Sequence, residues 1–391
     1  MSLVIIETHP VQYHAPVYRA LAQQFNLPIT VIYGSDFSVI GYEDKEFQSV
    51  FSWDTDLLSG YPSIFLTNVN NGGAKSFDQV TAKGLNQVLT KVNPKAVLIT
   101  GYNHRLYHTA LIYSFLKKIP ILLRAETTDH AVNRNLIKAW LRDRTLSFLY
   151  QNCTKLLYIG QNSYQHYQRL GVTAEKLIFS PYCVDITPFQ LLPQDAEILR
   201  NNTRNNLGIQ STEIVLLFSG KITTKKAPDL LLQAVKKLPE TIREKIVMIF
   251  LGNGELREQL EIDAQNEPEI KTHFLGFQNQ TKLSQYYHAA DLMILPSRYG
   301  ETWGLVVNES LHHGLPCIVS QAVGSAKDLI ISGVTGEIFE TNSIDSLCDT
   351  IQRCLILCDR PDIRAKCQEQ INNYTIEKAA QGIAKAYNDM I

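Results

Sequence analysis

The sequence predicts an α/β protein built from two doubly wound, Rossmann-like domains that face a central cleft. Short continuous apolar runs alternate with amphipathic helical stretches along the chain, which is typical of βαβ units with a buried parallel sheet. A polar run near residue 190 interrupts this alternation, which then restarts. At 391 residues, the chain is also too long for a single hydrophobic core.

The predicted strands form two series, separated by helical patterns. In the first half they are LVIIE (3–7), ITVIYG (29–34), AVLITG (96–101), ILLRAE (121–126), LLYIG (156–160) and LIFSP (177–181). In the second half they are IVLLFSG (214–220), IVMIFLG (246–252), THFLGF (272–277), LMILPS (292–297) and PCIVSQ (316–321). The segment 36–73 breaks the rhythm, and we expect a long loop or insertion there.

The polar run 191–208 indicates a linker followed by a capping helix. We therefore predict an N-terminal domain over 1–190 and a C-terminal domain over 191–374. The last stretch, 375–391, is predicted to be an amphipathic helix. Its apolar face comprises Ile376, Ala379, Ala380, Ile383, Ala384 and Tyr387. Because open parallel sheets bind ligands at the carboxyl ends of their strands, we expect the ligand in the cleft.

Composition excludes several classes of protein. The net charge of −1 and the pI near 6.8 give no basic field for nucleic acid. No run reaches the ~20 apolar residues of a membrane-spanning helix, and the N-terminus lacks a basic signal-peptide region. Seven cysteines without a CxxC pair argue against a disulfide framework. These features predict a cytoplasmic protein with reduced thiols.

A bound phosphate needs a site other than the common glycine loops, because neither G-x-G-x-x-G nor a P-loop occurs, and we expect no cofactor. Lys221 follows a predicted strand and Lys226 precedes a helix, where two cations suit a diphosphate. The alternative is a pair of solvated lysines. In LGNGE (251–255), Gly252 and Gly254 would permit close backbone approach to a ligand.

The stretch ETWGLVVNES (301–310) places Glu301 in a loop and Glu309 inside an apolar helical pattern that begins near Gly304. A buried carboxylate is costly unless it is paired. A ribose diol would satisfy Glu309, and Glu301 would then reach the sugar beyond the diphosphate. The alternative is a helix-surface contact between Glu309 and His313, four residues on.

The second half resembles retaining glycosyltransferases of the GT-B fold, the "group 1" or GT4-like family. Glu301 and Glu309 match the family's E-x7-E signature, and GKITTKKAPD matches G-R-x-x-x-x-K-G. The segments LGNGE, FLGF, AADLMILPS, GVTGEIF and SPYCVDITPF follow in the family's order. The resemblance covers about 180–340. Three departures are Lys221 for arginine, Ala227 for glycine, and AVGSAKDLI (322–330), which lacks a glycine and a glutamate.

The resemblance implies transfer of a sugar, with retention, from a UDP- or GDP-sugar to a hydroxyl of a glycan, lipid or small molecule. Lys221 and Lys226 would hold the diphosphate, Glu309 the ribose and Glu301 the transferred sugar, without a metal ion. The base would lie near Phe277 and Gln278, and the sugar and phosphates near Thr302, Trp303, Gly304 and Leu305. The final helix would cross back to the first domain.

The acceptor side is predicted from loops that follow strands of the first half. His9, Gln12 and His14 follow the first strand, and Arg124, Glu126 and His130 follow a later one. Glu126 is favoured over His130 as the group near the reacting hydroxyl. Two mechanisms of retention stay open. In one, a carboxylate acts as the nucleophile; in the other, a same-face displacement, the donor phosphate takes the acceptor proton.

Two further patterns have alternative interpretations. Asp54 and Asp56 form a D-x-D triplet of the kind that binds metal in other glycosyltransferases, but it lies in the irregular segment, so we expect no metal there. The helix predicted over 134–150 carries Arg134, Lys138 and Arg142 on one face. Such a helix lies either on an anionic inner membrane surface or, partly solvated, against the sheet.

Two other functions fit the same fold. One is a nucleotide-sugar-binding or regulatory protein without transfer activity. The other is an epimerase or a phosphorylase.

Overall fold

In the computed structural model, which describes residues 2–44, 49–51, 53–129 and 135–390, the chain forms two parallel sheets with helices packed against them. The strands of the first half are β1 Leu3–Glu7, β2 Ile29–Ser35, β3 Tyr42–Asp44, β4 Ser49–Phe51, β5 Ser63–Thr67, β6 Ala96–Ile99, β7 Ile121–Leu123, β8 Lys155–Tyr158 and β9 Leu177–Phe179. Its helices are α1 Ala15–Gln23, α2 Phe37–Ile40, α3 Leu85–Val92, α4 Arg105–Lys117, α5 Leu136–Asn152 and α6 Gln161–Arg169.

The second half repeats this alternation of strands and helices. Its strands are β10 Ile214–Ser219, β11 Ile246–Leu251, β12 Lys271–Gly276, β13 Leu292–Leu295, β14 Cys317–Ser320 and β15 Gly336–Phe339. The helices that follow the first domain are α7 Pro193–Asn206, α8 Pro228–Lys236, α9 Glu240–Arg243, α10 Arg257–Gln265, α11 Gln280–Ala289, α12 Leu305–His312, α13 Ala326–Leu329, α14 Ile344–Cys358, α15 Ile363–Ile371 and α16 Ile376–Asn388.

The strand order places one crevice in each sheet. The first sheet runs β5-β2-β1-β6-β7-β8-β9 and the second runs β12-β11-β10-β13-β14-β15, with parallel pairing. The order therefore reverses between β1 and β6, and again between β10 and β13. Ligands of open α/β sheets bind at these switch points. All residues of β1, β10 and β11 except Ile214 are buried, which explains the apolar runs in these strands.

The segment 36–73 is not the long loop that we expected. It contains β5, which pairs in parallel with β2 at the edge of the first sheet, together with α2 and the antiparallel pair β3–β4. An edge strand has a ladder neighbour on one side only, and every residue of β5 is half-buried. Its sequence, SIFLT, therefore lacks the continuous apolar run of a central strand. β15 was also absent from the predicted strands.

The C-terminal helix crosses back to the first domain, as predicted. Ala379, Ile383 and Ala386 of α16 lie in the same apolar core as Leu3 and Ile5 of β1. The Ser180 hydroxyl, just after β9, donates to the carbonyl oxygen of Ala379 at 2.9 Å. The domain boundaries at 190 and 374 stay predictions.

The helices differ in how far their outer faces are covered. In the ranges that the structure describes, none is both long and apolar enough to cross a membrane. On α5, however, the side chains of Ile137, Trp140 and Phe148 are 73%, 59% and 69% exposed.

The close approach of α16 to β9 predicts that Gly382→Ala destabilises the protein. A Cβ at this position would lie 2.0 Å from the backbone carbonyl oxygen of Phe179, which cannot move like a side-chain end. We expect the melting temperature to fall by several degrees, although alanine is the better helix former by about 1 kcal/mol. Gln381→Ala, at the exposed neighbouring position, is the control and should leave the melting temperature nearly unchanged. A Gly382→Ala protein as stable as the wild type would contradict this packing.

Candidate active site

The loop between β10 and α8 carries both predicted phosphate-binding lysines and is held in place by its neighbours. The guanidinium of Arg298 donates to both carboxylate oxygens of Asp229, at 2.9 and 2.6 Å, and to the carbonyl oxygen of Thr224 at 3.1 Å. Lys221 and Lys226 are half-buried at the carboxyl end of β10, beside the switch point. No motif in the sequence indicated that Arg298 organises this loop.

Gly252 and Gly254 are required by contacts between loops, and Gly252 also lines the pocket beside Glu309, so the predicted close approach to a ligand stays a prediction. A Cβ on Gly252 would lie 1.9 Å from the carbonyl oxygen of Gly220, and one on Gly254 would lie 2.5 Å from that of Ile222. Both glycines have positive φ, 134° and 156°. The turn after β11 therefore packs directly on the loop after β10 and fixes the position of that loop.

Lys226 and Glu301 form an ion pair at the carboxyl edge of the second sheet. The ammonium of Lys226 bonds to Oε2 of Glu301, which also accepts from the Ser297 hydroxyl at 3.1 Å. Glu301 is 8% exposed, so water screens this pair little. The structure thus brings together two residues that we predicted to contact the transferred sugar and the diphosphate.

Glu309 is almost fully enclosed, with 1% exposure, and its carboxylate is bound by protein hydroxyls. Tyr287 donates to Oε2 at 2.7 Å, and Tyr13, from the first domain, donates to Oε1 at 3.3 Å. This corrects our expectation that a ribose alone would satisfy it. The alternative pairing with His313 is also corrected, because that ring contacts the backbone oxygen of Glu309 at 2.7 Å, not its carboxylate.

Burial raises the pKa of Glu309 to about 7, although hydrogen bonds from Tyr287, Tyr13 and Gln280 lower it. Burial also lowers the pKa of His313 to about 3, so this ring is neutral near neutral pH. Burial outweighs the hydrogen bonds that Glu309 accepts, and no cationic side chain among the described residues pairs with it to lower its pKa. Its ionisation depends on the hydroxyl groups around it.

A pocket of about 100 Å³ lies between the two domains, and Glu309 is one of its lining residues. Gln12 and Tyr13 line it from the first domain, while Gln280 and Val306 line it from the second. At its outer end the rings of Trp53 and Phe277 meet edge to face, with centroids 6.5 Å apart, and Gln278 lies beside them. These groups form the wall where the base is predicted to bind.

The residues between the two glutamates make contacts between the domains. The indole of Trp303 is buried beside Gly160, where a Cβ would lie 2.4 Å from the ring, and its Nε1 donates to Asn308 Oδ1 at 2.8 Å. Gly304, with φ of 92°, turns the chain into α12, which begins at Leu305. The Trp303 side chain therefore packs between the two domains. Only the Trp303 backbone stays a candidate for contact with the transferred sugar.

Glu126 lies at the cleft, bound from both sides by hydroxyl groups. Its Oε2 accepts from Thr302, of the second domain, at 2.8 Å, and its Oε1 accepts from Tyr182. Burial, together with the charge of Glu126, raises the pKa of Tyr182 well above its ordinary value, so Tyr182 remains a hydrogen-bond donor. We did not identify Tyr182 from the sequence, where it is one aromatic residue in the linker motif SPYCVDITPF.

Arg124 is not placed to meet an acceptor. Its guanidinium donates to the carbonyl oxygens of Ser180 at 3.3 Å and Pro181 at 2.7 Å, and lies 5.0 Å from the centre of the Tyr182 ring. The side chain is buried, which explains why it binds carbonyl oxygens. Its position indicates a structural role beneath the linker, which corrects the predicted acceptor-side role.

The end of β1, the loop after it and α1 together carry a cluster of ionisable side chains. The ring of His14 contacts Glu7 Oε1 at 2.8 Å, and the hydroxyl of Tyr18 donates to the same oxygen. Burial would raise the pKa of Glu7, but His14 and Tyr18 lower it below its ordinary value. His9 contacts the hydroxyl of Thr8 at 3.0 Å, and burial lowers its pKa to about 4. Glu7 belongs to a strand, and we did not predict it as a site residue.

The remaining predicted groups are His130, Arg134 and the D-x-D triplet. His130 and Arg134 lie outside the described residues. Asp54 accepts hydrogen bonds from the backbone and hydroxyl of Thr281, at 3.2 and 2.6 Å, and Asp56 accepts from two backbone groups of its own turn. Asp54 therefore binds the first turn of α11, and Asp56 stabilises its own turn. No cluster of three or more metal-ligating side chains occurs in the described part of the chain.

Two of the three departures from the family pattern have a structural account. Ala227 adopts the left-handed conformation, with φ of 54°, which costs about 1–2 kcal/mol for a residue with a Cβ. In the segment that lacks the glutamate, the Asp328 carboxylate accepts from the backbone N–H of Gln161 at 2.9 Å. That residue begins α6 of the first domain, so Asp328 joins the domains at a helix N-terminus.

The raised pKa of Glu309 predicts a pH-dependent stability difference between the wild type and Glu309→Gln. Because the pKa of Glu309 in the folded state lies above its ordinary value of 4.5, this group stabilises the fold below pH 4.5. That contribution is lost as the pH rises through about 7. We expect the wild type to lose roughly 3 kcal/mol relative to the variant over this range, measured by urea unfolding. Glu340→Gln, an exposed control, should show no such trend. Parallel pH profiles for the wild type and Glu309→Gln would contradict the assignment.

Comparison with known proteins shows what the second half of the chain is similar to. Residues 200–377 match the family described as glycosyl transferases group 1. Lipopolysaccharide 1,2-N-acetylglucosaminetransferase of Salmonella typhimurium strain LT2 is 30% identical over 224 residues, which are 55% of this chain and 56% of that protein. D-inositol 3-phosphate glycosyltransferase of Mycobacterium tuberculosis strain H37Ra is 34% identical over 170 residues, 41% of this chain and 34% of that protein. The chain thus spans about half, or less, of these relatives.

Solved structures match over the full length. Anabaena Alr3699/HepE in complex with UDP superposes with a TM-score of 0.71 at 18% identity, covering 100% of both chains. The apo form of the lipopolysaccharide outer core galactosyltransferase WaaB superposes with a TM-score of 0.69 at 13% identity, also covering 100% of both. The chain therefore has the GT-B fold, and its residues 200–377 are similar to the group 1 glycosyl transferases.

Proposed function

We propose that the protein is a retaining glycosyltransferase that moves a sugar from a nucleotide-sugar to an acceptor hydroxyl. The observation that carries this proposal is the arrangement of Lys226, Glu301 and Glu309 at the carboxyl edge of the second sheet. Glu126 of the first domain faces them, bound to Thr302. The similarity to the group 1 glycosyl transferases and this arrangement support the same activity.

The nucleotide-sugar is proposed to be a UDP-sugar. The structures of Anabaena HepE that this chain resembles are complexes with UDP and with UDP-glucose, which supports uridine over guanosine. The base would lie against Trp53 and Phe277, and the ribose diol would donate to Glu309. Of the two hydroxyls on Glu309, that of Tyr13 makes the longer bond, at 3.3 Å, so we propose that the ribose replaces it while Tyr287 stays.

Charge on the departing diphosphate would be stabilised by Lys221, Lys226 and the N-terminus of α8. The Lys226 ammonium would then be shared between Glu301 and a phosphate oxygen, since it has three N–H donors. This arrangement supplies cationic charge from side chains. We therefore propose that transfer proceeds without a metal ion.

Retention is proposed to occur by same-face displacement. Both carboxylate oxygens of Glu126 already accept hydroxyl hydrogen bonds, which makes this group a weak nucleophile. In the proposed step, the acceptor oxygen bonds to the anomeric carbon as the bond from that carbon to the phosphate oxygen breaks. The acceptor proton passes to the departing phosphate, and Glu126 orients the acceptor hydroxyl.

The proposal predicts that Lys226→Ala and Glu309→Ala each lower turnover of the UDP-sugar by about 100-fold or more, because each removes a contact to the donor. Lys225→Ala, the adjacent lysine in the same loop, is the control and should retain turnover. Circular dichroism would verify that each variant is folded. Near-normal hydrolysis and transfer by both variants would refute the site.

The same assay separates the alternatives. Product NMR should show the donor's anomeric configuration retained, and EDTA should leave the rate unchanged. Conversion of the UDP-sugar without an acceptor would indicate an epimerase, and a requirement for free phosphate would indicate a phosphorylase. Tight UDP-sugar binding with no chemistry would indicate a binding or regulatory protein.

We also propose that the outer face of α5 contacts the cytoplasmic surface of an anionic membrane. Ile137, Trp140 and Phe148 are exposed at helical spacing on α5, and α4, which packs against the same face of the sheet, exposes Ile112 and Leu116. Exposed lysines flank these side chains: Lys117, Lys118 and Lys138. Arg142, part of the basic face predicted from the sequence, instead pairs with Asp143 at 3.3 Å.

This surface predicts binding to vesicles of phosphatidylglycerol and phosphatidylcholine. Trp140→Ser combined with Phe148→Ser should weaken cosedimentation with such vesicles by about tenfold or more, because each ring contributes apolar area. Ile198→Ser, an equally exposed apolar residue on α7 of the other domain, is the matched control. Equal binding by the double variant and the wild type would exclude this face.

A further inference from the structure

A second, larger cavity of about 1000 Å³ lies behind the linker between the domains. It shares no lining residue with the pocket that Glu309 lines. The linker segment 186–191, α7 and α15 form its walls. Three histidines from the ends of α11 and α12 also line it: His288, His312 and His313.

Two of these histidines have polar atoms that the fold leaves unsatisfied. His288 is 6% exposed, and neither of its ring nitrogens has a hydrogen-bond partner within the described residues. The Nε2 atom of His312 is also buried without a hydrogen-bond partner among these residues. His313 differs, since its ring contacts the Glu309 carbonyl oxygen and the Ser284 hydroxyl at 2.7 and 3.0 Å.

Burial lowers the pKa of His288 to about 4, and the charges of Arg364 and Arg200 lower it in the same direction. Burial likewise lowers the pKa of His312 to about 4, opposed by Glu377. Both rings are therefore neutral near neutral pH, and each has one N–H to donate. An unsatisfied buried polar group is costly, so such groups usually have a partner when the site is occupied.

Two arginines also line the cavity, and they differ in their hydrogen-bond partners. The side chain of Arg364, on α15, is exposed and forms neither a hydrogen bond nor an ion pair with any residue in the described ranges. The guanidinium of Arg200, on α7, pairs with the Asp291 carboxylate at 2.5 Å and donates to the carbonyl oxygen of His288 at 2.8 Å. Glu197 is the acidic side chain on the wall. Arg364 thus provides a guanidinium that can take an acidic group.

The remaining lining contains three amide side chains, Gln190, Gln368 and Asn372, and is otherwise apolar, with Phe189 buried and Leu191 and Pro361 exposed. A cavity with apolar walls and a few convergent polar groups is the usual form of a small-molecule site. We propose that this cavity binds a small organic anion whose phosphate or carboxylate accepts from Arg364 and the ring of His288. Its apolar body packs on Phe189.

Isothermal titration with three probes tests this assignment: phenyl phosphate, benzoate and the neutral benzyl alcohol. Either anion should bind the full-length protein more tightly than benzyl alcohol, and the stronger of the two identifies the acidic group. Arg364→Gln should weaken that binding by about tenfold or more, because a charge-assisted hydrogen bond is lost. Lys366→Gln, on the same helix but outside the lining, is the matched control.

Two further arms keep the test decisive. Lys226→Ala should bind the anion as the wild type does, whereas binding lost in this variant would place the probe in the nucleotide-sugar site and overturn the proposal. The ring ¹⁵N resonances of His288 should shift on addition of the anion, a readout that needs no variant of this buried residue. Absence of binding by both anions, binding equal to that of benzyl alcohol, or an Arg364→Gln protein that binds like the wild type would also overturn it.

Discussion

A buried carboxylate at the centre of α12 is the constraint on which this site depends. Glu309 has no cationic partner among the described residues, so its burial is offset by hydroxyl groups of Tyr287 and Tyr13. One hydroxyl comes from each domain. The two domains must therefore be held at a fixed distance for the carboxylate to be satisfied, and a ligand that supplies hydroxyls competes for the same oxygens.

The same kind of contact recurs across the cleft. Glu126 accepts from Thr302, Asp54 accepts from Thr281, and Asp328 accepts from the backbone N–H of Gln161, each across the domain boundary. These bonds join a carboxylate to a neutral donor. Hydrogen bonds to charged groups contribute about 1.5–3 kcal/mol each, yet water or a sugar hydroxyl can replace the donor. Such an interface suits a cleft that must admit a polar ligand.

The cationic side of the site is more rigid. Arg298 fixes the loop that carries Lys221 and Lys226 through Asp229, and Gly252 allows the neighbouring turn to pack against that loop. Lys226 is paired with Glu301 before any ligand binds. Preorganised charge of this kind favours a developing negative charge, since little rearrangement is needed when it forms.

The sequence by itself determined the α/β class, the two-domain division of strands, the C-terminal crossing helix and the residues at the carboxyl edge of the second sheet. It could do so because buried parallel strands are continuous apolar runs and because the E-x7-E motif and its lysines are local in the chain. The edge strand β5 escaped prediction because its residues are half-buried, so its apolar pattern is weak.

Only the tertiary structure decided which groups satisfy each charge. Tyr13 lies 296 residues from Glu309, and Tyr182 lies 56 residues from Glu126, so no local pattern connects them. For the same reason, Arg124 looked like an acceptor contact although it binds the linker carbonyls. The identity of a carboxylate is local, but its hydrogen-bond partners come from whichever segments the fold brings within about 3 Å of it.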